Sequence, residues 1–366
     1  MSLNVGVVGL PNVGKSTIFN ALTRAGARVE NFPFCTVDPN HGVVPVPDGR
    51  LEALAQLLEP PKLTPATLDI VDIAGLVRGA HKGEGLGNQF LGHIRAVDAV
   101  LHVVRCFGGD TVHVDGDVDP VRDLEIVELE LTLADLETVE RRLVKLDKEA
   151  KGGVKEAKAQ WPVVRRFAEA LRADTQLRRL DLDEYEVAVA RELGLITAKP
   201  VLYVANVDDS QLGDDDDPMV GALRAHLEAT GDRWIALAAQ LEAEISQLDD
   251  PEDRALFLAD MGLEEPGLDR LARAAYGLLG LITFYTFAGG KELRAWALRD
   301  GTHAPRAAGK IHSDMERGFI RAEVCPAATF LKLGSEAAVR SKGLLRSEGK
   351  DYALADGDVV HFKFAV

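Results

Sequence analysis

An α/β fold is predicted by three features of the chain. Residues 3 to 8, Leu-Asn-Val-Gly-Val-Val, form an apolar run suited to a buried strand. Residues 9 to 16 follow as Gly9-Leu10-Pro11-Asn12-Val13-Gly14-Lys15-Ser16, the pattern G-x-x-x-x-G-K-S. Thr17 to Thr23 then read as a helix. Strand, glycine loop and helix together are the context in which this pattern cradles phosphate, so the predicted fold is an α/β P-loop NTPase of the G-domain type. Gly9 and Gly14 let backbone N–H groups converge on phosphate oxygens, and the helix adds its positive N-terminal end. Lys15 is expected to reach the β- and γ-phosphates and the Ser16 hydroxyl to ligate Mg²⁺. Asn12, Val13, Gly14, Lys15, Ser16 and Thr17 are the expected nucleotide contacts.

The 366 residues suffice for two or three domains. A net charge of −16 argues against one uniformly basic nucleic-acid-binding surface but leaves room for a local basic patch. Cys35, Cys106 and Cys325 are odd in number and widely spaced, as reduced thiols of a cytoplasmic protein would be. The strand that opens the chain leaves no room for a signal peptide, and no apolar run has the length of a membrane span.

Residues 1 to about 125 alternate strand and helix patterns: a turn-rich segment at 31–36, a strand at 66–72, a glycine-rich loop at 79–88, a helix at 89–97 and a strand at 99–104. From 126 to 197 the texture changes. Leu129, Leu133, Leu136, Val139, Leu143 and Leu146 recur every three or four residues, which predicts a long amphipathic helix. Gly152-Gly153 ends it, and further helices follow over 155–171 and 183–193. This is an antiparallel hairpin inserted into the nucleotide-binding domain, because strand patterns resume at 200–206 and 234–239. The acidic run 214–217 reads as a solvated loop before a helix. From 281 the pattern is β-rich. The predicted domains are therefore 1–125 with 198–280 for nucleotide binding, 126–197 for the helical insertion, and 281–366 as a separate C-terminal domain.

Hydrolysis is indicated by Asp72-Ile73-Ala74-Gly75, a D-x-x-G after a strand. Asp72 is placed to hold Mg²⁺ through water, and the Gly75 N–H to sense the γ-phosphate. Thr36 is spaced to act as a second hydroxyl ligand of Mg²⁺ and a γ-phosphate contact. Lys15, Thr36 and Gly75 are the expected catalytic groups; Ser16, Thr36 and Asp72 are the expected metal ligands. Where Ras-type GTPases carry a water-orienting Gln, this chain has Leu76, which predicts slow intrinsic turnover. His81 reads as an exposed loop histidine and His102 as a core residue. Asn206-Val207-Asp208-Asp209 occupies the place of N-K-x-D. Asp209 favours guanine and Val207 does not, so the motif leaves the base open. Lys291, Arg294, Arg299, Arg306, Lys310, Arg317 and Arg321 form a candidate RNA-facing set.

Taken together, these residues resemble the YchF family, the Obg-like ATPases of the TRAFAC class. The resemblance spans the chain: Gly9 to Thr17, Asn31 to Asn40, Asp72 to Asn88, Arg105 to Phe107, Val118 to Asp123, Ile311 to Glu323 and Gly349 to Tyr352. It implies a C-terminal TGS domain with a β-grasp fold, and ATP in preference to GTP. It implies a Mg²⁺-dependent ATPase that acts as a ribosome-associated switch; separately, no membrane partner is expected, and a monomer is expected although the sequence does not fix the oligomeric state. By analogy with potassium-activated relatives, Asn12 would help bind K⁺. Two positions depart from the family: Asp209 stands where Glu is usual, which keeps GTP binding open, and His81 stands where a small hydroxyl residue is common. The alternatives are a GTPase of translation or ribosome assembly, and an RNA- or protein-binding module ordered by nucleotide.

Overall fold

A computed structural model describes residues 3–27, 41–73, 75, 86–108, 117–214, 216–288 and 290–365. The chain divides into two compact units. One comprises residues 1–42 and 69–271, the other residues 43–68 and 272–366.

The strands of the first sheet are β1 (Asn4–Val8), β2 (His41–Pro45), and then, after β3 (Lys62–Thr64) of the second unit, β4 (Thr67–Asp72), β5 (Ala99–Arg105), β6 (Val201–Asn206) and β7 (Arg233–Leu237). Their order is β2-β4-β1-β5-β6-β7. The pairings β1–β4, β1–β5, β5–β6 and β6–β7 are all parallel. A parallel sheet is covered on both faces, which explains why all seven residues of β5 are buried, His102 among them. From β1 the chain moves to β4 on one side and returns to β5 on the other. The carboxyl ends of β1, β4 and β5 therefore surround a switch point, where open α/β sheets bind ligands.

The helices begin and end where local chemistry dictates. After α1 (Lys15–Ala27), α2 (Gly49–Leu58) and α3 (Leu86–Ala96) comes α4 (Pro120–Lys151). Asp119 caps α4 by accepting from the Arg122 N–H at 3.1 Å, with Pro120 in the first turn. Gly152 ends the helix, and Gly153 takes φ +90° to turn the chain into α5 (Lys155–Arg172). A reciprocal capping box between Asp183 and Glu186 starts α6 (Glu184–Glu192). Val139, Leu146, Ala157, Val164, Phe167 and Leu171 form the insertion's own core. Beyond the insertion lie α7 (Pro218–Thr230) and α8 (Ala239–Ile245). The acidic run serves α7: the Asp217 carboxylate accepts from the Met219 and Val220 N–H groups.

Buried and half-buried polar groups tie the insertion to the sheet. Glu128 of α4 accepts from Arg178, from Arg179 and from the Tyr203 hydroxyl on β6, while Arg179 also pairs with Asp232 at 2.6 Å. Asp135 of α4, fully buried, accepts from the Ile196 N–H (3.0 Å), the Thr197 N–H (2.7 Å) and the Thr197 hydroxyl (2.7 Å). Burial raises its carboxyl pKa, and the Thr197 and Ile196 hydrogen bonds oppose that rise. Asp135→Ala would leave two buried N–H groups unpaired, at about 1–3 kcal/mol each. The expected result is a urea midpoint lowered by the equivalent of about 3 kcal/mol; an unchanged midpoint would contradict the anchoring role.

The second unit carries a sheet of order β11-β10-β12-β8-β9-β3, built from β8 (Leu281–Ala288), β9 (Glu292–Arg299), β10 (Phe319–Pro326), β11 (Arg346–Glu348) and β12 (Asp358–Phe364). β8–β9 and β10–β12 are antiparallel pairs, whereas β3 pairs parallel to β9. Phe284, Phe319, Val324, Leu354, Val360 and Phe362 fill its core. Residues 43–68, placed with the nucleotide-binding domain by sequence reading, cluster here instead. The physical reasons are the β3–β9 pairing, the Thr64–Glu292 hydrogen bond, the Arg50–Asp356 ion pair and the Tyr285–Asp48 hydrogen bond. No described helix is long and apolar enough to cross a membrane.

Candidate nucleotide site

The glycine loop joins β1 to α1 at the switch point. Gly14 takes φ +96°, and a Cβ there would lie 2.2 Å from Asn206 Nδ2; a Cβ on Gly9 would lie 2.4 Å from the Val103 carbonyl oxygen. Both positions therefore require glycine. Asn12 adopts φ +61°, a left-handed conformation that asparagine tolerates better than most residues. Helix α1 begins at Lys15, two residues earlier than its pattern suggests, so Lys15, Ser16 and Thr17 form its first turn. The N–H groups of a helix's first turn have no intrahelical acceptor, which makes this end an anion site.

Lys15 is buried and its Nζ donates to the Leu10 carbonyl at 2.6 Å. Burial lowers its pKa to about 8, with the Asp72 carboxylate opposing. A Cβ on Gly75 would lie 3.2 Å from Lys15 Nζ, so the Gly75 backbone stands beside the ammonium. Asp72 closes β4, and its Oδ2 accepts from Ser16 Oγ at 3.4 Å. Burial raises the Asp72 carboxyl, while Lys15 and the Ser16 hydrogen bond pull it down. Two oxygen donors on adjacent elements, one an incompletely compensated carboxylate, suit a hard divalent cation such as Mg²⁺.

Asn206 ends β6 and is 3% exposed. Its Nδ2 donates to the Val13 carbonyl (2.9 Å), and its Oδ1 accepts from the Ala239 N–H (3.0 Å). Both ends of the amide are used by protein groups, so it braces the glycine loop against the start of α8. The Val207 side chain joins the core cluster with Cys106, Tyr203 and Leu241, leaving almost no surface for a base. Asp209 is exposed, and its carboxyl pKa is raised by partial burial, then by Asp208 and Glu244. Sequence reading missed Gln211, which accepts from the Asp208 N–H (2.7 Å) and donates to the Cys106 carbonyl and to Asp217. The signal was present as Asp208-x-x-Gln211, a capping box. Thr17, Asn20 and Arg24 of α1 line a cleft of about 320 Å³ together with Ala243 of α8 and Ser246, which caps that helix. Thr36, Leu76 and His81 lie outside the described residues.

A parallel sheet, a glycine loop at its switch point, and a lysine, hydroxyl and aspartate set at the loop's mouth define a P-loop nucleoside triphosphatase with a G-domain core. Comparison with known proteins agrees. Residues 4–148 match the family described as "50S ribosome-binding GTPase", and residues 281–365 match YchF-GTPase_C, described as "Protein of unknown function (DUF933)". The chain is 49% identical to the "Ribosome-binding ATPase YchF" of Escherichia coli O157:H7 and 47% identical to that of Bacillus subtilis (strain 168), with all of each chain covered. It is 42% identical to "Obg-like ATPase 1" of Gallus gallus, over 99% of this chain and 92% of that one. The solved structure of the Schizosaccharomyces pombe YchF GTPase superposes with a TM-score of 0.90 at 35% identity, covering 99% and 98% of the two chains. The chain belongs to the YchF family of Obg-like ATPases.

Proposed function

We propose that this chain is a Mg²⁺-dependent ATPase that acts as a cytoplasmic nucleotide switch on the ribosome, converting ATP and water to ADP and phosphate. The carrying observation is the arrangement of Lys15, Ser16 and Asp72 at the mouth of the loop. The first-turn N–H groups would hold the β- and γ-phosphates, and the Lys15 ammonium would neutralise charge that builds on their oxygens. Ser16 and Asp72, with Thr36, would hold Mg²⁺, which supplies further charge stabilisation when bound. The Gly75 N–H would report the γ-phosphate. Asn12 is the proposed contact to K⁺, whose charge would stand in for an arginine finger. The C-terminal unit is the proposed TGS domain.

The choice of ATP is supported by the names of the relatives, which are ribosome-binding or Obg-like ATPases, and by the burial of Val207, which leaves no lysine stem over the base. The exposed Asp209 carboxylate supports GTP as a second substrate, since a carboxylate accepts from guanine N1–H. One experiment tests the reading: multiple-turnover phosphate release from ATP and from GTP, with Mg²⁺, in K⁺ or Na⁺ buffer, with and without ribosomes. The expected result is faster turnover of ATP than of GTP, slowed in Na⁺ and stimulated by ribosomes. A tenfold base preference corresponds to about 1.4 kcal/mol, the scale of one hydrogen bond. Equal or faster GTP turnover would favour the second reading.

A further inference from the structure

The α4–α5 hairpin ends in a strongly basic tip on an acidic protein. Residues 141–158 carry seven Lys or Arg against three Asp or Glu, in a chain of net charge −16. Two of the three carboxylates of the tip are committed, and the third, Glu156, is exposed beside Lys155. Asp147 pairs with Lys151 at 2.5 Å, and Glu149 lies 3.7 Å from Arg142, whose guanidinium is also held by Gln160. Arg141 pairs with Glu137. That leaves Lys145 and Lys148 on α4, and Lys155 and Lys158 on α5. All four are exposed, and among the described residues none of them forms an ion pair. Each pair has the i, i+3 spacing that places two side chains on one helix face. Val144, next to Lys145 on α4, and Val154, next to Lys155 at the turn, are 61% and 49% exposed. The tip is held in place by Leu146 and Ala157, which are buried between the helices, and by the Gln160–Glu192 hydrogen bond behind it.

The basic set noted in the C-terminal sequence differs. There Arg306 lies near Glu316, Arg317 pairs with Asp314, Arg321 pairs with Glu323, and Arg294 stacks on Trp296. Much of that charge is already answered within the fold.

We propose that the hairpin tip is an RNA-docking surface, on which Lys145, Lys148, Lys155 and Lys158 contact backbone phosphates of ribosomal RNA. The proposal rests on the reading that the chain acts on the ribosome. Lysine ammoniums on a preformed helical scaffold bind phosphate as point charges and release condensed counterions, so binding weakens steeply with salt. Four such contacts, at a slope of about 0.9 per phosphate, account for about a hundredfold loss of affinity between 50 and 200 mM salt.

The test uses the full-length chain and its Lys145→Ala/Lys148→Ala/Lys155→Ala/Lys158→Ala variant, co-sedimented with purified ribosomes across that salt range. Alanine keeps helix propensity high at all four positions, and circular dichroism together with unchanged ribosome-free ATP hydrolysis checks the fold. Ribosome binding is expected to fall about a hundredfold at low salt, with the salt slope reduced by about 3 to 4. Equal affinity and slope in the two proteins would overturn the assignment of the tip while leaving the ribosome reading intact. Binding lost in the variant, but insensitive to salt in the wild type, would point to a ribosomal protein instead and overturn the RNA assignment. Failure of the wild type to sediment with ribosomes would overturn both.

Discussion

Lys15→Ala is expected to reduce multiple-turnover phosphate release by about 10²–10³-fold or more, the scale on which removal of one charge-stabilising donor acts. Lys15 is the cation buried at the mouth of the loop, beside the Gly75 backbone and within reach of Asp72's field. Its Nζ is held by a loop carbonyl, that of Leu10, so the ammonium stands in place before any phosphate arrives. This pre-organisation is why its loss costs more than a surface charge would. The fold itself loses one buried hydrogen bond, that to the Leu10 carbonyl. Burial disfavours the charge, and alanine is a good helix former at the first residue of α1, which offsets part of that loss. The variant should therefore keep its circular dichroism spectrum, with a melting temperature lowered by no more than one unpaired carbonyl accounts for, about 1–3 kcal/mol, while losing turnover. Ser16→Ala should also lose turnover, and titration against Mg²⁺ should separate the two, because only the hydroxyl variant shifts the Mg²⁺ dependence. Normal turnover in purified Lys15→Ala protein would remove the basis for assigning catalysis to this loop.

Legibility followed the range of the interaction that makes each element. The loop motif was readable because Gly9, Gly14, Lys15 and Ser16 act within eight residues of chain, between a strand and a helix that each show their own period. The long helix was readable from its leucine spacing, and its end from Gly152-Gly153, where a positive φ is needed. Residues 43–68 were misplaced because what holds them is not local. β3 has three residues and pairs with a strand more than 200 positions away, and no short-range pattern announces such a partner. Charge obeyed a different rule. Arg317 and Arg321 pair with Asp314 and Glu323, three and two residues away, so their neutralisation is local and turns on side-chain direction in a helix and a strand, which a count of basic residues overlooks. At the base motif, position in the chain and packing part company. Val207 lies in the motif by position and in the core by packing.

Asn206→Ala is expected to weaken ATP and GTP binding together, by about a hundredfold. Its side chain is a strut between the glycine loop, the proposed phosphate cradle, and the start of α8. Nδ2 takes the Val13 carbonyl of the glycine loop, and Oδ1 takes the Ala239 N–H at the start of α8. Truncation leaves both backbone groups buried without a partner, at about 1–3 kcal/mol each, and frees the loop from the position that aims its N–H groups. If some 3 kcal/mol of that is realised in the nucleotide-bound state, the dissociation constant rises by more than a hundredfold. Gly14→Ala should produce the same phenotype by the opposite route. The new Cβ would fall 2.2 Å from Asn206 Nδ2, at a backbone φ of +96° that alanine adopts poorly, and would push the strut aside. Both variants act on the loop and not on the base, so the ratio of ATP to GTP affinity should stay constant while both affinities fall. Calorimetric titration with each nucleotide distinguishes this from direct base recognition. If Asn206 read the base, its loss would change one affinity far more than the other, and Gly14→Ala would not reproduce that change.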